Sequence, residues 1–271
     1  MKISHRNYYN QFTNAHLTLK FILTVFMLAG LMPAMSQPKH YTVSNAHSHN
    51  DYENPVPFWA AYNAGFGSIE ADIFLQDGKL IVAHDLNEVK NQRSLEKFYL
   101  DPLLSCLEKN HQHIYPDAIR QLQLMIDVKT EAVSTLKRLI EVLQGYPSLI
   151  HCASLHFVIS GSRPSPDSFS VYPSFILFDG DLSKSYGPEA QKKIAMMSDN
   201  FIRYAIWNGK DTIPAAGLEK LKDAIAKAHA IQKPVRLWAS PDSPNAWDQL
   251  MKLGVDFINT DKITELAEYL K

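Results

Sequence analysis

Four short runs in this chain collect side chains able to hold a cation or move a proton: Ala46-His47-Ser48-His49-Asn50-Asp51, Glu70-Ala71-Asp72, His84-Asp85 and Asp127-Val128-Lys129. Residues two apart on a strand face the same side, so Glu70 and Asp72 point together, either into the molecule or out of it. Adjacent carboxylates repel unless a cation sits between them or one is protonated, and hard divalent ions such as Mg²⁺ and Ca²⁺ take oxygen ligands. Asp127 offers a third oxygen from a neighbouring strand end. His47 and His84 are the candidate proton carriers, since an imidazole titrating near pH ~6.5 both accepts and donates around neutrality. Phosphodiester cleavage needs both actions: one group takes the proton of the attacking hydroxyl, another protonates the departing oxygen, and a cation with Lys129 offsets charge on the phosphate. An isolated Glu-x-Asp is more often a solvent-facing strand pair, and an isolated Asp a helix cap; recurrence at four strand ends favours one shared site. His49 is a candidate substrate contact, while His111, His113, His151 and His229 read as solvated turn residues.

These clusters need a scaffold that brings strand ends together. β-rich runs near Tyr41–Ala46, Ser68–Phe74, Gln123–Asp127, Leu155–Ser160, Ser174–Phe178, Arg203–Ile206, Val235–Ala239 and Phe257–Asn259 alternate with amphipathic stretches. Leu136, Leu139, Ile140 and Leu143, or Leu218, Leu221, Ile225 and Ala228, show the three- and four-residue spacing of a helix with one apolar face. Alternating strands and helices imply parallel βα units, and eight of them predict a TIM (β/α)8 barrel whose active site lies at the C-terminal ends of its strands. Asp77-Gly78 predicts a tight hairpin that returns through Leu80–Ala83 to His84 on that face. The mixed segment from Asp179 to Asn200 predicts an irregular side to the barrel.

The chain has 271 residues, a formal net charge of -1, 46% hydrophobic and 20% charged residues. That composition suits a single globular domain and lacks the basic footprint that nucleic-acid binding requires. The start differs: Lys2, His5, Arg6 and Lys20 precede the apolar run Phe21–Met32, which is shorter than the ~20 residues needed to span a bilayer. With Pro33, Ala34 and Ser36 following, residues 1–36 read as a secretory signal peptide and 37–271 as the mature domain, which predicts a periplasmic or secreted protein. Cys106 and Cys152 are too few for a disulfide scaffold and read as two buried thiols.

Ala46-His47, Glu53-Asn54, Ala61-Tyr62-Asn63-Ala64-Gly65, Glu70-Ala71-Asp72, Asp77-Gly78 and His84-Asp85, in that order, resemble the start of the glycerophosphodiester phosphodiesterase family. Val235-Arg236-Leu237-Trp238 and Gly254–Asp261 resemble its last two strands. The resemblance implies a barrel of the phospholipase-C-like phosphodiesterase type, His47 and His84 as the acid/base pair, and Glu70, Asp72 and Asp127 around one Mg²⁺ or Ca²⁺. It further implies Lys129 near the phosphate, Trp238 lining the pocket, and a glycerol- or lipid-derived phosphodiester as substrate, with transient contact to a membrane surface where that substrate is a lipid. Two departures stand out. Ser48 occupies the place of the family's arginine, which Arg163 or His49 would have to replace. Asp127-Val128-Lys129-Thr130 is more similar to the sphingomyelinase D branch, so a phospholipase lyase is the alternative activity, and a catalytically silent barrel binding a phosphorylated or carbohydrate ligand is the alternative from another class. The run His47–Tyr52 is most similar to the altered-inheritance-of-mitochondria subgroup.

Overall fold

Eight parallel strands are β1 (Ala46–Ser48), β2 (Ser68–Gln76), β4 (Leu122–Val128), β5 (Leu155–Gly161), β6 (Ile176–Asp181), β7 (Ile194–Asn200), β8 (Val235–Trp238) and β9 (Ile258–Thr260). β3 (Lys79–Val82) pairs antiparallel with β2 as the predicted hairpin. This computed structural model describes Pro38 and residues 40–271; the segment read as a signal peptide lies outside the described residues. The strands lie side by side in the order β8-β7-β6-β5-β4-β2-β1-β9, and a parallel bridge between Arg236 and Phe257 joins the two ends. The result is a nearly closed barrel, as the alternation of elements predicted.

Helices α1 (Trp59–Ala64), α2 (Asp101–Lys109), α3 (Ala132–Gln144), α4 (Pro147–Ile150), α5 (Pro188–Lys193), α6 (Ala215–Ala230), α7 (Pro244–Leu253) and α8 (Ile263–Tyr269) fall in the connections. Their apolar stripes form the main core against the outside of the strands: Leu136, Leu139 and Leu143 of α3 are buried, as are Leu221, Ile225 and Ala228 of α6. Inside the barrel, Met125, Val158 and Met196 form a separate apolar floor. Side chains above that floor therefore have one way to face, toward the strands' C-terminal ends.

Two family motifs turn out to be backbone chemistry. Gly65 ends α1 at φ 83, a left-handed C-cap that glycine adopts without steric cost. Asp77 and Gly78, at φ 50 and 74, form the paired positive-φ turn that matches strand twist in a two-residue hairpin.

Two expectations fail. Tyr41–Ala46 is not a strand: Thr42 accepts from Ser44 N while Asn45 Oδ1 accepts from Thr42 N, and this reciprocal cap winds Val43–Asn45 into a 3-10 turn before β1. Arg203–Ile206 is not a strand either. β7 is the preceding run Ile194–Asn200, after which Asn200 Oδ1 accepts from Ile202 N and caps the 3-10 turn Phe201–Arg203, while Ile206 is left 88% exposed. Within Asp179–Asn200, where an irregular side was expected, only the short α5 separates β6 from β7, and the register between these two strands shifts between Phe178 and Asp179. Cys106 and Cys152 are buried and unpaired, as read from the sequence. Among the described residues no helix is long and apolar enough to cross a membrane.

Candidate active site

Register decides what the strand ends bring together. Asp72 on β2 pairs with Asp127 on β4, and Asp127 in turn with Ser160 on β5. Glu70, two residues below Asp72, shares its inward face. One carboxylate oxygen each of Glu70, Asp72 and Asp127 lies within 4.8 Å of the others. Lys129 Nζ bridges Asp72 Oδ2 at 2.9 Å and Asp127 Oδ1 at 3.0 Å. The three carboxylates expected from the sequence thus converge, with Lys129 against two of them.

The electrostatics of this group are crowded. Burial and the neighbouring Glu70 charge push the Asp72 carboxyl up to about 6 against the pull of Lys129. Burial likewise raises Asp127, with Lys129 opposing. Glu70 is the exception: burial alone would raise it, but the Arg236 guanidinium and the His47 hydrogen bond hold it well below the usual carboxylate range. Asp72 Oδ1 is buried with no hydrogen-bond partner among the described residues. A hard cation fits this chemistry, because it would satisfy that oxygen and remove the like-charge penalty.

Gly161 closes the third side. Its φ is +68, and a Cβ there would run into Asp127 Oδ1 and come within 2.6 Å of the Val128 carbonyl. Gly161→Ala is expected to cost about 1–3 kcal/mol through backbone strain and overpacking, and to weaken cation binding by moving Asp127. Thermal melts with and without Mg²⁺ or Ca²⁺ check both effects, the second as a smaller cation-dependent rise in the variant.

The histidines separate into two environments. His84 follows β3 with its side chain 53% exposed; Nδ1 lies 3.2 Å from the Tyr52 hydroxyl and 3.8 Å from Asp72 Oδ2. Tyr52 donates to Asp72 Oδ2 at 2.8 Å and so ties the two together. His47, the other expected proton carrier, is fully buried: Nδ1 is 2.6 Å from Ser68 Oγ and Nε2 is 2.7 Å from Glu70 Oε2, with the Arg236 guanidinium packed against it. Burial and Arg236 together lower its pKa to about 4 despite Glu70. His49, by contrast, is part of a cleft wall, with Nδ1 2.7 Å from Asp261 Oδ1.

That cleft holds about 380 Å³ at the C-terminal end of the barrel, and His49, Glu70, His84, Asp127, Lys129, Arg163 and Trp238 all line it. Every expected site residue except His47 and Asp72 therefore faces one opening, and those two lie directly beneath it, bonded to Glu70 and Lys129 respectively. A larger groove of about 710 Å³ lies along α6 and contains no histidine. Of the four histidines read as ordinary turn residues, His111, His113 and His151 are exposed, while His229 bonds Asp256 instead.

The sequence reading missed Arg236, Asp179 and Asp261. Arg236, at the barrel seam, ion-pairs with Glu70 across the interior. Asp179 is buried on β6, accepts from Ser160 at 3.2 Å and is pushed up to about 6 by burial, against Arg236 and Arg163. A signal for Arg236 was present: it lies two residues before Trp238, so a Trp238 in the pocket requires an inward Arg236 one step deeper. Arg163 and His49, the two residues expected to stand in for the family's arginine after the first histidine, both line the cleft, while Arg236 packs against His47 and Glu70.

Residues 38–149 match the family model of the AIM6-like phosphodiesterase domain, and residues 234–264 that of the glycerophosphoryl diester phosphodiesterase family. Altered inheritance of mitochondria protein 6 from Eremothecium gossypii is 26% identical, the alignment covering 84% of this chain and 69% of that protein. Its homolog from Arthroderma benhamiae is 24% identical, covering 82% of each. A crystal structure of a glycerophosphodiester phosphodiesterase from Parabacteroides distasonis shares the fold, with a TM-score of 0.53 at 14% identity over 83% of this chain and 96% of that one. Sequence matches and fold agree with the motifs: this chain is similar to AIM6-like phosphodiesterases through its first strands and to glycerophosphoryl diester phosphodiesterases through its last.

Proposed function

We propose that this chain is a metal-assisted phosphoric diester hydrolase acting on a glycerophosphodiester or a lipid-derived phosphodiester. The observation that carries the reading is the convergence of Glu70, Asp72 and Asp127 beneath a cleft that also receives Lys129, His49 and His84. Three carboxylates set against Lys129 and Arg236 leave these groups one negative charge in excess, which repels a diester anion. One Mg²⁺ or Ca²⁺ held by the three carboxylates would reverse that sign and polarise the phosphoryl oxygens.

The chain's own groups do the rest. Lys129, 30% exposed at the cleft floor, faces the position of a phosphate oxygen. The Tyr52 hydroxyl beside His84 Nδ1 leaves Nε2 as the nitrogen that moves a proton to or from the reacting oxygens. Arg236 and His47 keep Glu70 ionised and fixed. Trp238, 40% exposed at the rim, offers an apolar face to the organic part of the substrate.

The Asp127-x-Lys129 pair also favours a second reading, a lyase in which an internal hydroxyl attacks phosphorus and releases a cyclic phosphate. A panel of glycerophosphodiesters and phospholipids, assayed with and without chelator, tests the class. Turnover is expected on at least one diester and is expected to vanish on chelation and return with Mg²⁺ or Ca²⁺; undiminished turnover in chelator would remove the cation from the proposal. Phosphorus NMR of the product separates a linear monoester from a cyclic ester.

We further propose that the protein is exported, with residues 1–36 removed. N-terminal sequencing of the mature protein checks this.

A further inference from the structure

We propose that His49, oriented by Asp261, is the second proton carrier opposite His84, and that His47 is a positioning residue beneath Glu70. This rests on the diesterase reading above and replaces the pairing that the family motif implied.

His47 has no nitrogen to offer. It is fully buried, Ser68 Oγ and Glu70 Oε2 take its two ring nitrogens at 2.6 and 2.7 Å, and it does not line the cleft. Gln123 Nε2 donates to the same Ser68 hydroxyl at 2.8 Å and the Arg236 guanidinium packs against Nε2, so both ring nitrogens are engaged within the interior in either tautomer. An imidazole enclosed this way orients the Glu70 carboxylate from within the interior and does not reach the cleft.

His49 has the complementary arrangement. The β1–β2 register pairs His47 with Ser68 and Ser48 with Ile69, so His49 comes next, level with Glu70 and one layer nearer the cleft. Its backbone N donates to the Thr260 carbonyl at 3.0 Å, and its Nδ1 lies 2.7 Å from Asp261 Oδ1. Asp261 is itself held, since its backbone N donates to Asp242 Oδ2 at 2.9 Å, and Asp242 also accepts from Thr260 and Trp247. Nδ1 engaged by a carboxylate fixes the tautomer and leaves Nε2 for the cleft. Of the charges around it, Asp261 and Glu70 favour the imidazolium and Arg236 opposes it; burial opposes it most, and the balance is raised.

The proton balance is simple. As the new P–O bond forms, the nucleophile's O–H proton passes to one imidazole; as the old P–O bond breaks, the other imidazole's N–H proton passes to the departing oxygen. His49 and His84 exchange these parts between closure and opening of a cyclic ester, and the net result moves one proton from nucleophile to leaving group.

The test compares His49→Gln, His47→Gln and Asp261→Asn, each checked for wild-type melting, on bis(p-nitrophenyl) phosphate and the best diester of the panel. His49→Gln is expected to lower kcat roughly 10³-fold with little change in KM, the loss typical of a removed acid/base group. His47→Gln, whose amide can still donate to Glu70, is expected to lose less. Asp261 is 68% exposed, so Asp261→Asn is expected to lower kcat only about tenfold while shifting the acid limb of kcat/KM to lower pH; an unmoved limb would remove Asp261. If His49→Gln keeps more than about a tenth of wild-type kcat, or if His47→Gln loses more at equal stability, the assignment is overturned. If the wild type cleaves no diester, the diesterase reading falls, and His49 is judged by imidazole NMR with inorganic phosphate. A shift at His49 and none at His47 supports the cleft assignment, and the reverse overturns it.

Discussion

Replacing Arg236 by methionine is expected to lower folding stability by about 3–5 kcal/mol, read as a lower urea midpoint at unchanged slope. Methionine retains most of the apolar stem, so the loss isolates the charge. The Arg236 and Glu70 side chains are each only 4% exposed, and the guanidinium contacts both Glu70 and His47 from the last strand pair of the barrel. Without it a buried carboxylate keeps a neutral imidazole as its main partner. The pair is no large source of net stability, since desolvation consumes most of its attraction; breaking one side is what costs. Adding Glu70→Gln to Arg236→Met is therefore expected to cost much less than the sum of the single changes, and additive losses would refute the coupling.

The same pair sets a pH dependence. In the wild type His47 has its pKa lowered to about 4, below the ~6.5 of an unfolded histidine. Its contribution to stability is accordingly full above pH ~6.5 and is lost as pH falls toward 4. In Arg236→Met the guanidinium no longer opposes protonation, Glu70 pulls His47 upward, and imidazolium replaces the missing positive charge. The stability gap between variant and wild type is expected to be widest above pH ~6.5 and to narrow below it. A gap independent of pH between 4.5 and 8 would show that His47 does not respond to Arg236.

Why Glu70, Asp72, Asp127, Lys129 and His84 were legible in the sequence while Arg236 and β7 were not has a physical answer. The first group lies on strands with strong β-formers and at a hairpin whose turn is fixed by Asp77-Gly78, so period two gave their faces directly. β7 reads Ile-Ala-Met-Met-Ser-Asp-Asn; it is buried at most positions on both faces, which erases alternation, and its residues have weak strand preference. The neighbouring Arg203–Ile206 is richer in β-formers and reads as the strand instead, yet its Ile206 side chain faces outward. An arginine inside a strand reads as a surface residue until the partner that neutralises it is known, and Glu70 lies 166 positions away. His47 and His49 pose the reverse difficulty. Both have the right spacing and the motif named the first, but only the register against β2 shows which layer each occupies. Sequence locates the strand end, while depth along the barrel axis comes from pairing between strands.

His84→Ala is expected to lower turnover by about 10²- to 10⁴-fold while leaving the fold intact. The side chain is 53% exposed, so its removal leaves neither a cavity nor a buried unpaired group, and the folding stability should change by no more than a surface substitution, about 0.5 kcal/mol. The loop around it is held by main-chain contacts that alanine retains: Ala83 N donates to the Asp72 carbonyl, and His84 N to Glu88 Oε2. The kinetic cost falls on proton transfer, for which removal of a positioned imidazole lowers kcat by about 10²- to 10⁴-fold. Because the exposed position leaves space behind it, added imidazole is expected to restore part of the lost rate in His84→Ala. Tyr52→Phe, which removes the hydroxyl 3.2 Å from Nδ1, should lose less, about tenfold, because the imidazole remains and only its orientation is relaxed. Full activity in His84→Ala would separate the cleft from the chemistry. A loss of activity with no imidazole rescue and a lowered melting temperature would instead make His84 a structural support of the hairpin.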